Sequence, residues 1–293
     1  MNVLSLFDGI SCGMVALERA GITVDAYYAS EIDKNAIAIS QKNYPNIIRL
    51  GDVTKWREWD IPWAEIDLLI GGSPCQGFSF AGKQLNFNDP RSKLFFEFVD
   101  ILNHIGKHNP NVKFLFENVA SMNDESKQVI SELLGCKPVF INSNRFVAQN
   151  RPRYYWTNIP FEKVLPPVSP ICLKDIMQND VPEKYFYNFP LERLDMTRKV
   201  CAHMVHNYLE MHRRVYNPSH KVGCLTAVCG GNQQRKVLDG DRARKLTPME
   251  YERLQGLPDD YTSGACDGQR YKAIGNGWTV DVIAHILKGL KEA

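Results

Sequence analysis

The stretch that decides the fold is residues 2–13, which read NVLSLFDGISCG. Its first six residues form an apolar, β-prone run, and a turn with Gly9 and Gly13 follows at once. Glycines between a strand and a helix let backbone N–H groups approach a ligand at the helix N-terminus. The segment therefore favours a nucleotide-type binding turn, although many strand–helix connections contain two glycines.

Strand-like and helix-like patterns alternate through the first 160 residues. The β-rich runs are 2–7, 24–31, 47–53, 66–73, 112–118, 138–146 and 153–159. Helical spacing of apolar residues lies between them, at 13–20, 33–42 and 92–105. This alternation predicts an α/β fold: a Rossmann-like, mainly parallel sheet flanked by helices.

The pattern changes after residue 160, where prolines interrupt it and periodicity weakens to about residue 241. This texture predicts a small, irregular, β-rich second domain over 161–243. Order returns with a capping box, in which Thr247 is the N-cap, Pro248 is N1 and Glu250 is N3. We expect residues 244–293, with a last helix at about 280–290, to complete the domain that begins at 1–160.

Charge is distributed unevenly along the chain. The 293 residues carry 35 Lys and Arg against 33 Asp and Glu, a net charge of +2. With 44% hydrophobic and 23% charged residues, the composition is that of a globular protein and excludes a disordered or fibrous one. Residues 198–245 alone hold ten basic and three acidic side chains, a net +7. Such a segment fits a polyanion-binding lobe or a solvated basic face.

Cysteine and histidine patterns give no metal or disulfide signal. The eight cysteines include no CxxC pair, and the histidines have no HExxH spacing. The sequence has no secretory leader pattern and no apolar run near the roughly 18 residues of a membrane span. We therefore expect a soluble, intracellular protein without a bound metal.

Acidic residues end the second and third predicted strands. Glu31 lies about 20 residues after the glycine turn, and Asp52 closes the next run. In nucleotide-binding folds, an acid at this distance accepts hydrogen bonds from ribose hydroxyls. The pattern predicts a nucleoside-cofactor crevice, and a nicotinamide dehydrogenase would fit it equally well.

Three further motifs carry chemistry. Cys75 follows a strand inside a Gly/Pro turn, where a thiol can be accessible, and a polar, loop-like stretch follows at 77–91. Glu117 ends an apolar strand, where burial can keep a carboxyl group protonated. Arg151 and Arg153 occupy alternate positions, so on an extended chain both could face an anion or a base edge. Taken singly, each has an ordinary structural explanation.

Taken together and in order, these motifs resemble the C5-cytosine DNA methyltransferase family over almost the whole chain. The motifs that match are Pro74-Cys75-Gln76, Glu117-Asn118-Val119, Gln149-x-Arg151-x-Arg153, Arg244–Pro258 and Gly275-Asn276-Gly277. The chain is similar to small bacterial and phage enzymes and to the vertebrate de novo branch. The resemblance implies a class I methyltransferase fold, with a catalytic domain at 1–160, a target-recognition domain at 161–243 and a return segment at 244–293.

The resemblance also implies a reaction. Cys75 would add to C6 of a cytosine flipped out of duplex DNA, since a stacked base cannot be reached. Glu117 would contact N3 and N4, and Arg153 with Arg151 would hold the base and polarise O2. The methyl donor would be S-adenosylmethionine, which becomes S-adenosylhomocysteine.

Cofactor and DNA contacts follow from the same resemblance. The cofactor positions are Phe7, Gly9, Ser11, Glu31, Ile32, Asp52, Val53, Pro74, Leu94, Asn276 and Trp278. The DNA-binding positions are Gln76, Ser79, Arg213, Arg214, Lys221, Asn232, Gln233, Gln234, Arg235 and Lys236. Many members have glycine where Ser11 or Cys12 stands and Ser-Val where Gly277-Trp278 stands, so contacts at these positions are open.

Alternatives remain at this point. A tRNA-acting member of the family shares the catalytic motifs, and a non-catalytic DNA-binding homologue shares the fold. A dehydrogenase fits the glycine turn alone and has no use for Pro74-Cys75. The sequence leaves open the recognition site and the oligomeric state. It is compatible with a cytoplasmic bacterial or phage enzyme that has a cognate restriction enzyme, a phage self-protection role or an epigenetic role.

Overall fold

The computed structural model describes residues 1–74, 94–162, 164–228 and 232–291. The chain forms two compact units. The first unit comprises Met1–Ile141, Pro152–Val164 and Val282–Ala293, and the second comprises Asn142–Arg151 and Leu165–Asp281. In the described ranges, no helix has the length and apolar character needed to cross a bilayer.

A seven-stranded sheet organises the first unit. Its strands are β1 (Asn2–Leu6), β2 (Ala26–Ser30), β3 (Ile48–Arg49), β4 (Leu68–Gly71), β5 (Lys113–Val119), β6 (Val139–Asn142) and β7 (Pro152–Thr157), in the order β3-β2-β1-β4-β5-β7-β6. The pairings from β3 across to β5 are parallel, and β7 runs antiparallel to β5. The predicted mainly parallel α/β sheet is confirmed. The strand order reverses at β1, which lies between β2 and β4, and open sheets bind ligands at such a point.

Helices follow the strands: α1 (Cys12–Ala20), α2 (Lys34–Asn43), α3 (Leu94–His108) and α4 (Asp124–Leu133). As the spacing predicts, α3 buries one apolar face, and the Phe95 and Phe98 rings lie 5.1 and 4.9 Å from that of Phe116. A Cβ on Gly71 would come within 3.0 Å of the Leu6 carbonyl oxygen and 3.2 Å of Phe98. Glycine at the end of β4 therefore lets α3 pack tightly behind the sheet edge that carries the predicted site.

The second unit has a five-stranded sheet of short strands. These are β8 (Leu191–Glu192), β9 (Val200–Met204), β10 (Arg214–Tyr216), β11 (Lys236–Asp239) and β12 (Arg242–Lys245), ordered β12-β11-β10-β9-β8. Its helices are α5 (Glu210–Arg213), α6 (Pro248–Leu254) and α7 (Asp267–Asn276), and α8 (Val280–Leu287) begins in this unit and ends in the first. The predicted capping box of α6 is confirmed at Thr247 and Glu250.

One basic residue of the +7 segment lies in the interior of this unit. Arg244 is fully buried, and its guanidinium lies 2.6 Å from an Asp239 oxygen and 2.7 Å from a Glu250 oxygen. A buried guanidinium between two carboxylates is electrically compensated. This charge is therefore neutralised inside the unit and does not add to a surface field.

Candidate active site

The turn after β1 has the unusual backbone that its glycine suggested. Phe7, Gly9 and Ser11 all have positive φ, at 58°, 59° and 59°. This left-handed conformation suits glycine and is uncommon for other residues. A Cβ added to Gly9 would meet nothing within 4 Å, so the backbone is open to a ligand on that side.

Glu31 is fixed beside this turn by backbone amides. One carboxylate oxygen accepts the Gly9 N–H at 2.8 Å, and the other accepts those of Ile32 and Asp33 at 2.7 and 2.8 Å. A carboxylate has about four acceptor positions, so capacity for a ligand hydroxyl remains. The adjacent Ile32 side chain is 70% exposed, which leaves a large apolar surface next to the acid.

The remaining predicted cofactor residues of the first unit border the same sheet edge. Asp52 precedes a 3-10 helix and accepts both the N–H and the hydroxyl of Thr54 at 2.9 Å. Val53 is buried in the apolar cluster against which Phe7 and Leu94 pack. Pro74, at the last described position after β4, is half-buried. A polar rim with an apolar floor suits a nucleoside with a hydrophobic base.

A carboxylate–guanidinium pair lies on β5 and β7. Arg153 Nε is 2.7 Å from Glu117 Oε1, and both side chains are nearly buried. On the next residue of β5, Asn118 Nδ2 lies 3.5 Å from Ser73 Oγ. This contact ties Ser73, just after β4, to the end of β5. Cys75, Gln76 and Ser79 lie outside the described residues.

Arg151 has different partners from Arg153. Its residue is 5% exposed, and its guanidinium donates to the carbonyls of Leu225, Gly275 and Gly277 at 2.8, 3.1 and 3.0 Å. All of these belong to the second unit, whereas Arg153 belongs to the first. The alternate spacing predicted a shared face, and the structure gives Arg151 the contacts of a residue that holds backbone segments.

The turn that carries Asn276 and Trp278 is held by this arginine and by glutamines. Gln255 Nε2 donates to the Ile274 and Gly277 carbonyls at 2.9 and 3.0 Å, and Gln149 Nε2 donates to Gln255. A Cβ on Gly275 would lie 2.2 Å from the Thr226 carbonyl oxygen, so glycine is required there. Asn276 is exposed and Trp278 is half-buried in the second unit.

The predicted DNA-binding cations already donate to groups of the second unit. Arg213 lies 3.2 Å from a Glu192 oxygen, and Arg214 lies 2.6 Å from a Glu210 oxygen. The other pairs are Lys221 Nζ with the carbonyls of Val147 and Ile171 at 2.9 and 2.6 Å, and Arg235 Nε with the Cys224 carbonyl at 3.1 Å.

Lys236, another predicted DNA-binding cation, is almost completely buried, at 1% exposure. Its ammonium group donates to the Asn232 and Gln234 carbonyls at 2.6 and 2.9 Å. Burial lowers the pKa of this lysine to about 7. Gln233 is exposed, whereas Gln234 is buried. The lysine therefore shapes the segment that was predicted to read bases.

The contacts of three buried polar residues, Asp8, Gln149 and Gln255, were not predicted from the sequence, although each lies in a motif quoted above. Gln149 and Gln255 are hydrogen-bonded across 106 residues, whereas Asp8 bonds to hydroxyl groups 3 to 19 residues away. In the described ranges, no group of three or more His, Cys, Asp or Glu side chains is arranged to hold a metal ion.

Known proteins resemble this chain over its full length. The profile of the family C-5 cytosine-specific DNA methylase matches residues 1–292. Type II methyltransferase M.SsoII of Shigella sonnei is 31% identical over 98% of this chain and 79% of its own length. M.HpaII of Haemophilus parainfluenzae is 28% identical over 99% and 88%.

Solved structures share the fold. The Entamoeba histolytica methyltransferase EhMeth has a TM-score of 0.74 at 18% identity and covers 100% of this chain and 98% of its own. The S. pombe Dnmt2 methyltransferase has a TM-score of 0.74 at 20% identity, again over 100% and 98%.

Proposed function

Because the chain belongs to the C-5 cytosine-specific DNA methylase family and is a DNA cytosine-5-methyltransferase, we propose that it methylates a cytosine flipped out of duplex DNA through a covalent bond from Cys75 to C6. The observation that carries this proposal is the pairing of Glu117 with Arg153 beside the Asn118–Ser73 contact. Ser73 precedes Cys75 by two residues. The carboxyl group therefore lies on β5, which pairs with β4, and Cys75 follows β4 by four residues in the sequence.

Cys75, Glu117 and Arg153 have different roles in the addition and elimination steps. The Cys75 thiolate forms a bond to C6, and the C5–C6 π electrons shift toward N3, where Glu117 supplies a proton or hydrogen bond. Arg153 holds the Glu117 carboxyl group and offers further N–H groups to O2. After C5 has gained the methyl group, the N3 proton returns to Glu117, a base removes the C5 proton, the C5–C6 double bond re-forms and the thiolate leaves.

We propose S-adenosylmethionine as the cofactor, because the sheet edge fits it. The bound cofactor supplies an electrophilic methyl group and leaves as S-adenosylhomocysteine. Glu31 would accept the ribose hydroxyls, the exposed Ile32 side chain would cover the adenine, and the open side of Gly9 would admit the ligand close to the backbone. Calorimetry with S-adenosylmethionine and NAD separates this cofactor from the dehydrogenase alternative; binding of NAD alone would contradict it.

The covalent step has a direct test. Cys75→Ser should abolish incorporation of labelled methyl groups into DNA while binding to duplex DNA is retained, because oxygen is a far weaker nucleophile than a thiolate. Near-normal incorporation by this variant would contradict the mechanism. The same assay with tRNA distinguishes the substrates, and label found only in tRNA would overturn the DNA assignment.

We also propose that the enzyme works in a restriction–modification system, since the relatives above are Type II methyltransferases. Bisulfite sequencing of DNA treated with the purified protein would give the methylated sequence. DNA modified in this way should then resist a restriction enzyme that cuts the same sequence. Scattered methylation without a fixed sequence would contradict this role.

A further inference from the structure

A buried carboxylate lies under the turn at residues 7–11. The Asp8 side chain is 1% exposed. One oxygen accepts hydrogen bonds from the Ser5 and Tyr27 hydroxyls, both at 2.8 Å, and the other accepts one from the Ser11 hydroxyl. These partners come from β1, from β2 and from the cap of α1, so a single carboxylate ties the turn to three elements.

The second oxygen also closes a ring of polar groups. Ser11 Oγ is hydrogen-bonded to Ser40 Oγ on α2, and Arg49 on β3 donates to Ser40 Oγ at 2.6 Å. Arg49 Nη1 lies 3.6 Å from the Asp8 oxygen that Ser11 contacts. The ring therefore runs from Asp8 through Ser11, Ser40 and Arg49 back to Asp8.

Counting protons shows which group donates in each hydrogen bond of the ring. The Ser11 hydroxyl has one proton and uses it on Asp8, so the proton between the two serines belongs to Ser40. Ser40 in turn accepts from Arg49, which can only donate. Each hydroxyl accepts one bond and donates one, and such chains strengthen cooperatively when they end on a charged acceptor.

Burying the Asp8 carboxylate costs desolvation free energy, and packing alone does not explain why an acid occupies this position. Burial raises the pKa of Asp8, while the hydroxyl donors and Arg49 act in the opposite direction. An apolar side chain could fill the same space without desolvating a charge. The residues on either side of Asp8, Phe7 and Gly9, have left-handed backbone, and so does its hydrogen-bond partner Ser11. The contacts of Asp8 therefore indicate that it stabilises the conformation of the turn.

We propose that Asp8 is a positioning residue that holds the turn in the form that presents the Gly9 amide and Glu31 to the cofactor. The Gly9 N–H donates to Glu31 at 2.8 Å, so a change in the turn is transmitted directly to this carboxylate. The inference rests on the proposed cofactor site. It makes Ser5, Ser11, Tyr27, Ser40 and Arg49 supports of the turn; the hydroxyl of Ser11, a predicted cofactor position, is buried and donates to Asp8.

The test compares variants at the two ends of the same sheet. Asp8→Ala removes the acceptor under the turn. Asp67→Asn alters a carboxylate that accepts the Asn2 N–H at 2.8 Å, at the opposite end of β1. Asp8→Asn keeps an acceptor toward Ser11, because the Ser5 and Tyr27 hydroxyls can turn to accept from its amide. S-adenosylhomocysteine affinity is measured by calorimetry, with melting temperature and steady-state kinetics on DNA alongside.

We expect Asp8→Ala to weaken S-adenosylhomocysteine binding and raise the S-adenosylmethionine KM by about tenfold or more, the size expected for losing hydrogen bonds to a charge. The kcat and the KM for DNA should change little at saturating cofactor. Asp8→Asn should stay within about threefold of wild type. Asp67→Asn should lower the melting temperature without changing cofactor affinity.

Other outcomes would overturn the inference. Folded Asp8→Ala with wild-type affinity would do so, as would an equal affinity loss in Asp67→Asn. If Asp8→Ala does not fold, Ser11→Gly decides, since it removes the direct donor through which Asp8 holds the turn while glycine keeps the left-handed backbone; unchanged affinity there contradicts the role. Failure of the wild-type chain to bind S-adenosylhomocysteine would instead contradict the proposed cofactor.

Discussion

The sheet edge of the first unit and the basic segment of the second unit use charged side chains in opposite ways. At the sheet edge, Glu31 is oriented by three backbone amides and keeps acceptor capacity for a ligand. In the basic segment, Lys236 and Arg244 direct their charges into the unit, onto carbonyls and carboxylates. The difference teaches that a motif with fixed local geometry indicates function more directly than a net charge does.

The largest expected effect is a difference in stability between variants of Arg151 and Arg153, the two arginines that the sequence motif placed together. Arg151→Lys should lower the free energy of unfolding by about 2–4 kcal/mol, because one ammonium cannot replace the guanidinium at buried carbonyls from two segments. Arg153→Lys should cost less than about 1 kcal/mol of stability, since it keeps a cation near Glu117. Urea denaturation of both variants is the measurement, and equal losses would remove the distinction.

Removing the acid at the sheet edge should give the next largest effect. Glu31→Ala deletes the acceptor for three backbone amides and for the proposed ribose contact, so we expect S-adenosylmethionine affinity to fall by about 100-fold. Glu18→Ala is the matched control. This acid is exposed, and its carboxylate accepts a hydrogen bond from the Tyr44 hydroxyl. Calorimetry gives both affinities, and a loss below threefold for Glu31→Ala would argue against the site.

The buried lysine of the second unit predicts a pH effect on stability. Lys236 has a pKa of about 7 in the folded chain, below the ordinary 10.5. Between these values the unfolded chain binds a proton that the folded chain does not, so stability should rise as pH increases from about 7 toward 10. Lys236→Met should remove this rise, whereas Lys174→Met, at an exposed position of the same unit, should keep it.

Urea midpoints measured between pH 6.5 and 9 test this difference. An identical slope in wild type and Lys236→Met would mean that the lysine remains charged in the folded protein.

The smallest expected effect concerns the salt dependence of DNA binding. Arg214 hydrogen-bonds Glu210 and lowers the pKa of that carboxyl group to about 2, so the pair persists at neutral pH. Each phosphate contact contributes about 0.9 to the slope of log K against log salt. Arg214→Gln should change the slope by less than about 0.5, and Glu210→Gln should increase it, because it releases the guanidinium. The reverse order of effects would show that Arg214 already binds phosphate.

Local patterns predicted the elements of the first unit well. The run at 2–7 is β1, and the apolar spacing at 92–105 corresponds to α3, because burial on one face imposes a period that a single segment reveals. Helix α4 was missed, although Asn123 caps it and acidic residues fill its first turn. The antiparallel direction of β7 beside β5 could not be predicted, since pairing depends on segments far apart in sequence.

The candidate site was predictable in part. Residues whose partners are near in the sequence were predicted better than residues whose partners are distant. Two of the three amide donors to Glu31 are on Ile32 and Asp33, directly after it, so its strand-end position indicated most of its environment. The carbonyl partners of Arg151 lie 74 to 126 residues away. Arg244 is an exception, since its partners Asp239 and Glu250 are five and six residues away but lie on a separate strand and helix. No short pattern distinguishes such a buried cation from one on the surface.

The first unit is completed by a segment far along the chain. Residues 282–291 belong to it, and a Cβ on Gly289 would overlap the Pro160 carbonyl at 1.7 Å, so this segment seats directly on the chain that follows β7. A ribosome must make all of Leu165–Asp281 between these two pieces, which takes on the order of ten seconds at about 5–20 residues per second. During that time the nascent first unit lacks this segment, so its packing can be completed only after the second unit has been made.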